Sequence, residues 1–182
     1  MTATVCFCHG RESGPWGTKI RRLGRVAEQF GCRVISPDDR DTQDPDERVR
    51  RLETLAAAIP GPLILVGSSM GGYVAAVAAR QLQPLGLFLL APAIGLPGYA
   101  LTDPAPQSAH LTIVHGWDDT IVPVGNVLRY AEAQRAELHL LPDDHLLQNR
   151  LDRIEQLFAD FLGSCLGRVK PAAPPRALVA AL

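Results

Sequence analysis

The sequence predicts an α/β fold: three layers built on a mostly parallel six-stranded sheet, with helices on both faces. Three observations predict it. Six short apolar runs recur along the chain, at residues 5–8, 33–35, 63–66, 85–90, 111–114 and 138–141, and most do not alternate with polar residues. Strands covered on both faces read this way, whereas half-exposed strands alternate. Between the runs lie amphipathic helical patterns, and strand-then-helix order throughout implies βα units. The third observation is size: 182 residues suit one domain that buries about 70% of its unfolded surface.

The elements follow in order. After the run at 5–8, Ile20, Leu23, Val26, Ala27 and Phe30 keep three-and-four spacing, with Lys19, Arg21, Arg22 and Glu28 opposite, as on a surface helix. Asp44, Pro45 and Glu47 suit an N-cap, a first helical position and a capping box. Val49, Leu52, Leu55, Ala56 and Ile59 then form the expected buried stripe, ended by Pro60-Gly61-Pro62. Further helices are expected over 70–82, 124–134 and 147–162. From Gly167 the composition shifts to Pro171, Pro174, Pro175 and alanines. The expected division is therefore a domain over 1–166 and a Pro/Ala-rich tail over 167–182.

Composition excludes several classes. Eighteen basic residues against nineteen acidic give a net charge of −1, so neither nucleic acid nor an anionic membrane is expected as a partner. The opening MTATVCFCHG lacks the basic-then-apolar order of a signal peptide, and no run approaches the ~20 apolar residues of a membrane helix. Cys6, Cys8, Cys32 and Cys165 form neither a disulfide framework nor a metal-binding pair. They read as buried thiols of a cytoplasmic protein.

Chemistry concentrates where strands end. The stretch LILVGSSMGG at 63–72 runs an apolar strand into glycines, serines and a small-residue helix, GGYVAAVAA. Gly67-Ser68-Ser69-Met70-Gly71 fits G-x-S-x-G, whose register selects Ser69: a sharp strand-to-helix bend lifts the central Oγ clear of the sheet and leaves little room beside it. Alone, the pentapeptide also fits a glycine-rich turn in which Ser69 is a plain N-cap. A phosphate loop would need the Walker lysine, which is missing.

A serine nucleophile needs a base. Of five histidines, His9 and His115 precede glycines at strand ends, His110 opens a strand and His139 lies within one. His145, in PDDH after the last strand, stands at a carboxyl end, where sites form in open α/β sheets. Asp118 and Asp119 in HGWDDTIVP both qualify as the acid that orients the imidazole, and both suit a helix cap. Serine, acid and histidine thus follow three different strands at one sheet edge, in the order Ser–Asp–His.

On these residues the chain resembles the α/β-hydrolases, specifically small esterase-like members with no large cap domain. The resemblance covers Val5 to Leu162 and rests on His9-Gly10, GSSMGG, HGWDDTIVP and His145. In the family pattern HGxxDxxVP the acid falls on Asp119. The resemblance therefore implies a Ser69–Asp119–His145 triad, with an oxyanion hole made by the backbone N–H groups of Met70 and Arg11. It also implies two-step acyl transfer without metal or organic cofactor. Relatives often carry an apolar or aromatic residue where Arg11 stands; its side chain either binds an acidic substrate group or pairs with Glu12.

His9, Gly10, Trp16, Leu96 and Tyr99 are the expected substrate pocket, with Leu101 nearby. Trp16 either walls that pocket or covers a helix end. The segment 91–109, where relatives insert a cap, is short and rich in proline and glycine, so a shallow site for a small ester or thioester is expected. A serine peptidase or amidase on the same triad, and a non-catalytic ligand-binding protein on the same fold, are the rival readings. Homo-oligomerisation has no support in the sequence.

Overall fold

The computed structural model describes residues 2–167; most of the tail expected over 167–182 lies outside them. Six strands, β1 Thr4–Cys8, β2 Arg33–Ile35, β3 Leu63–Ser68, β4 Gly86–Leu90, β5 His110–Gly116 and β6 Glu137–Leu141, alternate with five helices. The helices are α1 Thr18–Gln29, α2 Pro45–Ala57, α3 Met70–Leu82, α4 Val124–Gln134 and α5 Leu151–Leu166; the expected alternation breaks once, because no helix separates β4 from β5. The strand order is β2-β1-β3-β4-β5-β6, and every pairing is parallel. All strands therefore present their carboxyl ends at one edge. The order reverses at β1, so a crevice opens between the loops that follow β1 and β3, where ligands bind in such sheets.

Alternate strand residues face opposite layers. Val5, Phe7, Ile64, Val66, Phe88 and Val114 pack against α1 and α5. Cys6, Cys8, Leu65, Leu87, Leu89 and Ile113 pack against α2, α3 and α4. In the first layer Phe88 meets Phe158 edge-on at 5.1 Å and Phe161 at 5.2 Å; such pairs add about 1 kcal/mol each beyond area burial. All four cysteines are buried and none forms a disulfide among the described residues. Residues 91–109 form neither helix nor strand, so no cap domain covers the edge. Among the described residues, no helix is long and apolar enough to cross a membrane.

Three local expectations change. Asp44 does cap α2, accepting from the Asp46 N–H at 2.9 Å, but Glu47 does not complete a capping box; its carboxylate turns to Arg50 and Arg51. Leu55 is exposed rather than part of the buried stripe, and Arg48 is buried in its place. The last helix begins at Leu151, not residue 147, and runs on to Leu166. Leu147 has φ +54°, which a right-handed helix forbids, because residues 142–150 wind around the side chain of Asp143. Gly167, in the left-handed region, then closes the helix.

Candidate active site

Ser69 occupies the single residue between β3 and α3. Its backbone sits at φ +54°, ψ −119°, a conformation that costs a side-chain-bearing residue on the order of 1–3 kcal/mol. The surrounding packing holds it there. A Cβ on Gly71 would overlap the Cys8 carbonyl on β1, and one on Gly67 would lie 2.6 Å from the Gly72 Cα. The Ser69 N–H donates to the Leu90 carbonyl at 2.9 Å, and the Ser69 carbonyl accepts from Gly72, Tyr73 and Ala93. Ser68 ends β3 in register with Leu90, leaving Ser69 to project from the bend.

Two other loops meet it. His145 Nε2 lies 2.9 Å from Ser69 Oγ, and His145 Nδ1 lies 2.7 Å from Asp119 Oδ2. A carboxylate oxygen only accepts, so Nδ1 carries the proton, and Nε2 is left to accept from the serine hydroxyl. Asp119 is itself fixed: Oδ1 accepts from the N–H groups of Ile121 and Val122, both at 2.8 Å. Burial alone would raise the Asp119 carboxyl, but the imidazole and these two N–H groups outweigh it, so its pKa falls below the ordinary carboxylate value. Asp118 is exposed and donates its backbone N–H to the Asp143 carbonyl at 3.1 Å.

His115 lies behind the acid, fully buried, with Nε2 3.0 Å from the Val122 carbonyl and 3.5 Å from Asp119 Oδ2. Burial pushes its pKa below the ordinary histidine value. Its Nε2–H is directed at the carbonyl, and among the described residues its Nδ1 has no partner.

The loop carrying His145 is organised by Asp143. Its carboxylate accepts from the Asn149 N–H at 3.0 Å, the Asn149 side-chain amide at 2.9 Å and the Asp144 N–H at 2.9 Å. Its carbonyl presses on Gly116, where any Cβ would collide with it. Lys19, at the start of α1, faces this loop. Burial lowers its pKa to about 8, against the opposing pull of Asp143, Asp144 and Asp119.

Across the crevice, Gly10 touches the serine: a Cβ there would sit 3.5 Å from the Ser69 Cβ. His9 does not face the open side. Its ring is 2% exposed, with Nε2 accepting from the Asp39 N–H at 3.0 Å; Nδ1 therefore holds the proton and donates to the Gly10 carbonyl at 2.7 Å. Among the described residues, neither the Arg11 nor the Met70 N–H has a backbone acceptor, and Arg11 forms no ion pair with Glu12. Tyr99 packs against Tyr73 at a tilt of 58°, ring centroids 4.6 Å apart, and Leu96 is half-buried against the same cluster. Trp16 is 45% exposed on the loop after β1. The Tyr73 hydroxyl accepts from the Leu101 N–H at 3.1 Å, anchoring residues 91–109 to α3.

Sequence reading missed two residues here. Arg48 is 2% exposed and reaches the loop after β1. Its signal was its place four residues before Leu52, on the apolar side of α2. Asp143 carried no periodic signal at all.

The arrangement can take the proton of the Ser69 hydroxyl onto His145 Nε2, with Asp119 orienting the imidazole. Among the described residues, no group of three or more His, Cys, Asp or Glu is placed to hold a metal ion. The model of the alpha/beta hydrolase family matches residues 7–181. A protein from Xanthomonas campestris pv. campestris assigned to the alpha/beta hydrolase superfamily is 34% identical, with a TM-score of 0.80 over 90% of this chain and 99% of its own. A second protein of Xanthomonas campestris, an α/β serine hydrolase without a lid, is 22% identical with a TM-score of 0.70, over 94% of this chain and 84% of its own. Est1E from Butyrivibrio proteoclasticus is 16% identical with a TM-score of 0.74, over 92% and 89%. At those last two identities the likeness is one of fold. No curated relative matches the chain.

Proposed function

The chain belongs to the alpha/beta hydrolase family, and from that premise we propose that it is a serine hydrolase of small carboxylic esters or thioesters, acting through an acyl-enzyme on Ser69. One observation carries the reading: His145 is hydrogen-bonded at Nε2 to Ser69 Oγ and at Nδ1 to Asp119. Imidazole, carboxylate and hydroxyl stand in the order that general-base activation requires.

In acylation Ser69 Oγ bonds to the substrate carbonyl carbon as His145 Nε2 takes the hydroxyl proton. Asp119 keeps Nδ1 protonated and stabilises the imidazolium that results. The carbonyl oxygen becomes an oxyanion, and the free N–H groups of Met70 and Arg11 are the donors proposed to receive it; removing one such donor typically costs about 3 kcal/mol of transition-state stabilisation. Collapse breaks the bond to the leaving oxygen or sulfur, which takes the proton from Nε2. Water, deprotonated by His145, then attacks the acyl-enzyme and releases the acid and Ser69. The uncapped edge favours short or polar acyl groups over long lipids.

Fluorophosphonate labelling and p-nitrophenyl acetate hydrolysis test this together. Ser69→Ala should abolish labelling and lower kcat by about 10⁴-fold without lowering Tm, and Asp119→Asn should lower kcat by roughly 10³-fold, whereas Asp118→Asn should stay within about twofold of wild type. Hydrolysis that survives in Ser69→Ala would sink the reading. A parallel panel of thioesters and aminoacyl amides separates esterase, thioesterase and amidase preference.

A further inference from the structure

The Arg48 guanidinium is buried, yet among the described residues no carboxylate stands within ion-pair distance of it. Asp39 and Asp41, the acids whose charges act on it, pair instead with Arg51. Its partners are main-chain carbonyls. Nε and Nη2 donate to Thr42 O at 3.0 and 2.8 Å, and Nη1 reaches His9 O at 3.3 Å and Gly10 O at 3.4 Å. A buried cation without a counter-ion is costly, and an apolar residue would fill the same space between α2 and the sheet. A charge kept at that position calls for a function.

We propose that Arg48 is a positioning residue for the oxyanion-binding peptide of this site. The Gly10 carbonyl and the Arg11 N–H belong to one peptide unit, and in a trans peptide they point in opposite directions. Arg48 Nη1 and His9 Nδ1 hold the carbonyl on the buried side, which turns the Arg11 N–H toward the crevice beside Ser69. The peptide dipole also lies between a fixed positive charge and the site of the developing oxyanion. A donor to a carbonyl strengthens the N–H of the same peptide as a donor, so the guanidinium acts through Arg11 without touching substrate. Its direct acceptors are uncharged, and the acids nearest it, Asp39 and Asp41, are shared with Arg51.

This inference rests on the serine-hydrolase reading, and its test separates the two. Wild type, R48M and R48K are titrated with a fluorophosphonate to count active sites, then assayed on p-nitrophenyl acetate and with phenylboronic acid, which forms a tetrahedral adduct on the serine. Relative to wild type, R48M should lose about 30-fold in kcat per titrated site with KM within about twofold, and bind the boronate about 30-fold more weakly. R48K, which keeps the charge but cannot span both loops, should lie between them. If R48M does not fold, the kcat and boronate losses of R48K carry the comparison. A lowered Tm with unchanged kcat per titrated site, or a loss confined to KM, would reduce Arg48 to a structural brace and overturn the proposal alone. Wild type that neither labels nor hydrolyses the ester would overturn the serine-hydrolase reading and this inference with it.

Discussion

Two segments at the same sheet edge position Ser69 and His145 in opposite ways. The β3–α3 bend is one residue long, and main-chain packing sets it: glycines stand where any side chain would strike β1 or the following turn. The β6–α5 loop spans residues 142–150 and is shaped by hydrogen bonds to one carboxylate, that of Asp143. The bend contains no titratable group. The loop carries Asp143, Asp144 and His145 and lies beside Asp119 and Lys19. The proposed nucleophile is thus held by steric exclusion and its proposed base by a polar scaffold, and the two should fail differently.

The largest effect should come from the bend. Gly71→Ala forces a methyl group into the Cys8 carbonyl between two central strands, where neither backbone can yield cheaply. A loss of about 3 kcal/mol is expected, read as a drop in the denaturant midpoint, with activity lost alongside. Gly71→Ala that unfolds like wild type would show that the bend is not held by backbone exclusion.

An intermediate effect should come from the loop. Asp143→Ala leaves the N–H groups of Asp144 and Asn149 without their acceptor. About 1–2 kcal/mol of stability should go, and kcat on an ester should fall roughly tenfold as His145 loses its fixed position. Unchanged kcat would mean that the Asp119 contact alone suffices to place the imidazole.

The smallest effect is a pH response confined to the loop side. Lys19 has a folded pKa of about 8, below its unfolded value of about 10.4. The unfolded chain therefore binds the extra proton between those values, and the Lys19 contribution to stability rises with pH across that window. Comparing Tm at pH 8 and pH 10, wild type should gain relative to Lys19→Met, by a margin that partial exposure keeps small. An identical pH dependence in both would remove Lys19 from the loop's electrostatics.

The same contrast explains what the sequence disclosed. The bend is legible because exclusion needs particular residue types at fixed spacing, so Gly67, Ser69 and Gly71 stand out as a pattern. The parallel sheet is legible for the same reason, since burial on both faces leaves unalternating apolar runs. Asp119 was separable from Asp118 only through the family pattern; both are acids after one strand, and their different burial arises from the turn that Ile121 and Val122 close around Asp119. His145 was found by its place, but the length of its loop was not. Leu147 and Leu151 keep helical spacing, and a side-chain scaffold leaves no periodic trace. Arg48 escaped because an arginine in an amphipathic helix reads as solvent-facing, although its register with Val49 and Leu52 set it on the inner side.

The turns that bear the acid and the base are also stitched to each other. The Trp117 N–H donates to the Leu141 carbonyl at 2.9 Å and the Asp118 N–H to that of Asp143 at 3.1 Å, continuing the β5–β6 pairing past the end of both strands. Carboxylate and imidazole therefore stand on one continuously hydrogen-bonded margin of the sheet. The contact from imidazole to hydroxyl is the one that leaves this stitched margin and crosses to the separately packed bend.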